Sequence, residues 1–302
     1  MGGRRGRDVR GILLLDKPGG ETSNRALQRV KRLFQAAKAG HTGSLDPLAT
    51  GMLPICFGAA TRLAEYLLDA RKTYAVTAVL GVATDTGDAD GEVTERFDAK
   101  LPSEPEVRTA LESFLGDGEQ TPPMYSALKR DGKRLYELAR QGVVVDRAPR
   151  HVRIDAIALD SCAGPVCRFT VTCSKGTYVR SLVTDLAERL GTVGHVTALR
   201  RLAVEPFDPA DMVAFEQLEL DAAQGVAALD RRLLAAERAL VGWPAVELPP
   251  AAAVRLRHGQ PVPAAPGWPT GLVRIDDQSS GFVGIGEVSA DRRLAPRKML
   301  FD

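Results

Sequence analysis

The stretch "GHTGSLDPLATGMLPICFG", residues 40–58, decides the reading of this chain. A single Asp stands directly before Pro, in a loop with His, Thr and Ser, and an apolar run follows. "MLPICFG" reads as a buried strand. The surroundings of Asp46 exclude several chemistries. No zinc-ligand spacing flanks it. No glycine pattern that cradles phosphate is present, and no second carboxylate completes a glycosidase pair. On the residues alone two readings stay open: Asp-Pro as turn punctuation, or one carboxylate doing chemistry by itself.

Upstream, "GILLLDKPGG" reads as a short buried strand entering a Pro-Gly turn. Thr22 or Ser23 can cap the next helix, whose Leu27, Val30, Leu33 and Phe34 recur at helical spacing, with Gly40 as its expected stop. Downstream, "AATRLAEYLLDA" reads as a helix and "KTYAVTAVLG" as an alternating strand. "DTGDADGE" is an acidic turn. With Gly91 at the sixth position of a calcium loop, Thr86 and Phe97 fall where the first and last ligands belong, so calcium is excluded.

"EPEVRTALESFLG" is an amphipathic helix with Pro105 in its first turn. "TPPMYSALKRDGKRLYELARQG" is expected to begin extended and continue as a basic helix. "HVRIDAIAL" and "PVCRFTVTCS" read as a strand pair. "KGTYVRSLVTDLAERLG" reads as a turn and a helix with Leu182, Leu186 and Leu190 on one face. "GHVTALRRLAVEPF" returns to strand or loop, and residues 211–240 are mainly helical. Near "WPAVELPP" Pro and Ala become dense and short strands follow. The expected domains are therefore residues 1–245, opening with a flexible basic arm over 1–10, and a small β-rich unit over 246–302. The latter has a size at which isolated stability is marginal, so it should pack on the larger one.

Bulk properties set the frame. The 302 residues are 44 % apolar and 26 % charged, ordinary for a globular protein. No apolar run approaches the length of about 18 residues that spans a bilayer. The basic N-terminus lacks the apolar stretch of a secretory signal. A cytoplasmic location is the expectation. Net charge is only +2, but cations cluster around residues 4–10, 25–38 and 129–134, which favours a polyanionic partner. Cys56, Cys162, Cys167 and Cys173 do not match zinc spacings and read as buried reduced thiols.

These stretches, taken in order, resemble the TruB-type tRNA pseudouridine synthases. The likeness runs from "LLLDKPGGETS" through "GHTGSLDPLATGMLPICFG", "KTYAVTAVLGVATDTGDADG", "TPPMYSALKRDGKRLYELAR" and "CSKGTYVRSL" to "LRRLAV". The tail looks like the family's PUA domain. The resemblance implies an α+β pseudouridine-synthase fold, with a central, mostly antiparallel mixed sheet flanked by helices. It implies isomerisation of uridine 55 in the T loop of tRNA, with no metal and no cofactor, by a protein taken to be monomeric.

It implies Asp46 as the catalytic carboxylate and Arg180 beside it. Tyr74 would stack on the uracil, His41 would help hold the loop with its base turned out, and Leu199 would line the pocket. Tyr178 belongs to the substrate-binding set through "KGTYVR". Lys17 and Pro18 would brace the active-site loop. Breaking N1–C1′ and joining C1′ to C5 is redox-neutral and activates no water, so one ionised carboxylate suffices, as nucleophile or as the base that starts loss of the C2′ proton. An RNA-folding module without catalysis and a guide-RNA-dependent isomerase are the alternatives.

Overall fold

The computed structural model describes residues 6–130 and 132–300. Arg4 and Arg5 of the basic arm lie outside them. The large sheet is built from β1 (Gly11–Lys17), β2 (Ala39–His41), β3 (Thr50–Phe57), β4 (Lys72–Leu80), β5 (Gly116–Gln120), β6 (Arg150–Ala163), β7 (Val166–Cys173) and β8 (Gly194–Val204). Its order is β1-β3-β8-β4-β7-β6-β5, with β2 also on β3. Every pairing is antiparallel except β3 with β8, which run parallel through Arg200↔Thr50 and Arg201↔Gly51. The sheet is thus mixed and mostly antiparallel, as expected.

Both faces of β1 and β3 are covered, which explains their near-continuous apolar runs. Leu13, Leu15, Leu53, Ile55 and Phe57 join one core. Ile12, Leu14, Met52 and Cys56 join a second core on the other face. Helix α1 (Ser23–Leu33) packs Ala26, Leu27 and Val30 into the first core. The Thr22 hydroxyl accepts the Arg25 amide at 3.2 Å and caps it. Helix α2 (Glu104–Glu112) starts with a Ser103/Glu106 capping box. Helix α3 (Val179–Arg189) buries Leu182 and Leu186.

Three expectations need correction. α1 ends at Leu33, not near Gly40: Gln35 takes φ +52 and turns the chain, and Gly40 lies inside β2. The basic segment after "TPP" is not one helix. Lys129–Arg130 and Lys133–Arg134 form a two-stranded hairpin, and only Leu135–Ala139 is helical. Gly132 at φ +82 supplies the turn, in line with the hairpin preference of an Asp-Gly pair. Finally, Cys162 is only half-buried, although all four thiols are free.

The C-terminal sheet has five strands, β9 (Ala245–Leu248), β10 (Val262–Pro263), β11 (Gly271–Asp277), β12 (Gly281–Val288) and β13 (Arg293–Met299), in the order β9-β11-β12-β13-β10. Ile285, Phe282 and Leu300 pack with Ile12, Leu14 and Met52 in one core, so this unit is seated on the large sheet. Lys298 reaches Glu65 at 3.1 Å across the same junction.

Candidate active site

The loop between β2 and β3 carries Asp46, and contacts from the β1–α1 segment hold it. The Leu45 amide donates to the Ser23 hydroxyl at 2.7 Å, and that hydroxyl donates back to the Leu45 carbonyl at 3.0 Å. The Pro47 carbonyl accepts the Gly20 amide at 2.8 Å and Lys17 Nζ at 3.4 Å. Lys17 is fully buried and donates to the Pro18 and Glu21 carbonyls as well, both at 2.7 Å. The buried lysine therefore ties the Pro-Gly turn to the Asp-Pro loop. Pro18 contributes only its carbonyl to this contact, and the residue itself is exposed.

Asp46 Oδ2 meets Arg180 Nε at 2.9 Å. The two ends of this pair differ sharply: the Arg180 side chain is 6 % exposed, the Asp46 side chain 42 %. Arg180 is fixed from behind. Its Nη1 donates to the Thr86 carbonyl at 2.8 Å, and its Nη2 to the Tyr125 carbonyl at 2.7 Å. Nη1 also lies 3.4 Å from the buried Asp88 carboxylate. Asp88 in turn accepts the Thr86 hydroxyl at 2.6 Å. A guanidinium held on three sides presents one accessible carboxylate.

Asp88 was invisible in the sequence as a site residue, because "DTGDADGE" reads as a solvated turn. Its signal is structural: a short bridge from Asp88 to Val196 of β8 draws the turn against the sheet.

Opposing effects act on the Asp46 carboxyl. Arg180 does pull the Asp46 pKa down, but burial pushes it up more strongly and Asp88 adds to the rise, so the net direction is upward. Burial also lowers the His41 pKa, with Arg201 reinforcing the effect. His41 Nδ1 is buried without a hydrogen-bond partner. Burial raises Tyr74 and Tyr178, and both feel the Asp46 charge.

Tyr74 and Leu199 share one face of the sheet: Tyr74 stands opposite Arg201 and Leu199 opposite Val76 in adjacent strands. The aromatic ring and the leucine belong to the same core as Leu45, next to Asp46. Tyr178 precedes α3, where its amide donates to Gln120 Oε1 at 2.7 Å and its carbonyl accepts Gln120 Nε2 at 3.1 Å. Asp46, Arg180, Tyr74, Tyr178 and Lys17 thus form one electrostatically connected set. No group of three metal-ligating side chains occurs among the described residues, and no helix there is long and apolar enough to cross a membrane.

Solved structures share this architecture. One Cbf5 chain, from a "Cbf5-Nop10-Gar1 Complex", aligns with a TM-score of 0.75 at 24 % identity, over 96 % of this chain and 85 % of that one. A chain of an "H/ACA RNP bound to a substrate RNA containing 2'-deoxyuridine" aligns at 0.74 and 21 % identity, over 100 % and 92 %. These likenesses carry the fold, that of the pseudouridine synthases.

Sequence comparison goes further. The model of the TruB family pseudouridylate synthase N-terminal domain matches residues 31–179. The tRNA pseudouridylate synthase B C-terminal domain matches 180–241, and the C-terminal model of pseudouridine synthase II TruB matches 244–300. A "tRNA pseudouridine synthase B" of Stutzerimonas stutzeri is 52 % identical over 97 % of this chain and 96 % of its own length. One from Pseudomonas aeruginosa is 49 % identical over 97 % of both. The chain belongs to the TruB family of pseudouridylate synthases and is an isomerase acting on uridine in RNA.

Proposed function

We propose that the chain isomerises uridine 55 in the T loop of tRNA to pseudouridine, with Asp46 as the catalytic carboxylate. The observation that carries this reading is the accessible Asp46 carboxylate held at 2.9 Å by a buried arginine. The target base is everted from its stack at a cost of a few kcal/mol. Tyr74 takes the uracil face, Leu199 walls the pocket, and His41 holds the opened loop. Tyr178 and Arg180 fix the floor, while Lys17 and Pro18 brace the loop.

In the reaction the N1–C1′ bond breaks, C1′ joins C5, the C5 proton leaves and N1 gains one. Asp46 attacks C1′ or takes the C2′ proton. Both routes use its ionised form, which the Arg180 charge favours. Atoms and electrons balance within the uridine, so the step consumes no coenzyme.

Residues 1–245 form the catalytic domain in this reading, and residues 246–302 a PUA-like RNA-binding domain. The T arm lies along α1 and the 129–134 hairpin, whose cations meet phosphates. The protein works as a cytoplasmic monomer.

The test uses purified protein and an unmodified T-arm hairpin in EDTA. Wild type should release pseudouridine on nuclease digestion. D46N should release none while binding the hairpin with unchanged affinity. Turnover by D46N would remove Asp46 from the mechanism, and a metal requirement in wild type would remove the cofactor-free chemistry.

A further inference from the structure

Arg201 is the largest fully buried side chain among the described residues, 1 % exposed. No carboxylate lies within ion-pair distance of it there. A buried guanidinium without an anion is costly unless its donors are well used. Its donors go to the two flanks of the segment that carries Asp46. Nε donates to the Met52 carbonyl at 2.6 Å and Nη2 to the Gly43 carbonyl at 3.0 Å. These two residues bracket the Asp46 segment.

The sheet explains why a side chain is needed there. One edge of β3 pairs with β8 only at Thr50 and Gly51, and with β2 only from Ile55 onward. Between these short ladders the Thr42 amide donates to the Pro54 carbonyl at 3.0 Å, and Arg201 Nε takes the place of a strand amide at Met52. The packing leaves no slack. A Cβ on Gly51 would lie 2.2 Å from the Arg201 carbonyl oxygen, and one on Gly43 would lie 3.3 Å from Arg201 Nη1. Arg201 also stands opposite Tyr74 of the adjacent strand β4, close enough for its charge to act on the Tyr74 hydroxyl.

We propose that Arg201 is a positioning residue for the isomerisation. It grips both flanks of the Asp46 segment from one buried guanidinium while standing opposite Tyr74 in the next strand, and so sets the carboxylate against the ring that receives the uracil. The inference rests on the roles given above to Asp46 and Tyr74. It requires no contact between Arg201 and RNA. A neutral replacement of similar volume loses both hydrogen bonds, and a lysine keeps the charge but cannot span the two carbonyls.

The experiment is a double-mutant cycle on the full chain with the T-arm hairpin. R201M, Y74F and R201M/Y74F are assayed for kcat and KM at a temperature where circular dichroism shows each folded. R201M should lower kcat by about 100-fold, the effect of a displacement of order 1 Å, with KM within about threefold. The double variant should fall short of the product of the two single losses by about fivefold or more. A merely structural role multiplies, because a smaller active fraction scales every variant alike. R201M with near wild-type kcat, or losses that multiply fully, would overturn the proposal. If R201M does not fold, R201K is read against the same limits. Wild type inactive on the hairpin would strike the function assigned above instead.

Discussion

Arg180 and Asp46 meet at 2.9 Å from α3 and from the β2–β3 loop, and the arginine is the buried member of the pair. The usual arrangement of a surface ion pair leaves both ends mobile and contributes little. Here Thr86, Asp88 and Tyr125 fix the cation, so the carboxylate has one place to rest.

The first prediction concerns pH. The Asp88 charge raises the Asp46 pKa and the Arg180 charge lowers it. Removing Asp88 therefore lets Asp46 ionise at lower pH, and removing Arg180 delays ionisation. The acid limb of kcat/KM, which reports the free enzyme, should move down in D88N and up in R180Q. Both variants should also lose rate on the plateau. Limbs moving in the same direction would contradict the assignment of that limb to Asp46.

A second prediction separates backbone from packing. Gly51 and Gly116 have nearly equal positive φ, +99 and +94. A Cβ at Gly116 meets nothing within 4 Å, whereas at Gly51 it would collide with the Arg201 carbonyl. G116A should cost about 1–3 kcal/mol from strain alone. G51A should cost clearly more, or prevent folding. Urea denaturation of both reads the difference, and equal costs would mean the strand contact yields easily.

Lys17 gives a third. K17M supplies no donor for the Pro18 and Glu21 carbonyls, which lose the hydrogen bonds that tie the turn together. The expected loss is about 1–3 kcal/mol of stability, measured by urea titration, with activity reduced through the loosened Asp46 loop. Unchanged stability would show that the turn is held by other contacts.

The hairpin supplies a fourth. Lys129 and Lys133 are exposed on a short antiparallel pair. If they meet phosphates, K129E/K133E should weaken hairpin RNA binding at low salt. It should also flatten log K against log salt by on the order of 0.7–0.9 per lost contact. A slope identical to wild type would place the RNA elsewhere.

How much of this was legible in sequence follows the range of the interaction. Alternation in "KTYAVTAVLG" and the apolar runs around Leu13 and Ile55 report local burial, and the strands stand where those patterns fall. Asp46 and Arg180 were legible through resemblance, not through spacing. Asp88 and Arg201 were not legible. An Asp in a turn and an Arg in "LRRLAV" look solvated until the chain is folded, and only β8 brings them to the site. Gly40 misled because the non-glycine Gln35 adopts the left-handed turn that ends α1. The 129–134 hairpin was read through because the helical spacing of "LYELA" was extended backward across it.

Strand β8 is inserted between β3 and β4, both made much earlier in the chain. A polypeptide still emerging from the ribosome, and not yet past Gly194, holds two half-sheets with facing unsatisfied edges. The grip of Arg201 on both flanks of the Asp46 segment is missing until that late strand arrives. A chain that stops short of β8 therefore lacks the one strand that joins the β1–β3 half of the sheet to the β4 half.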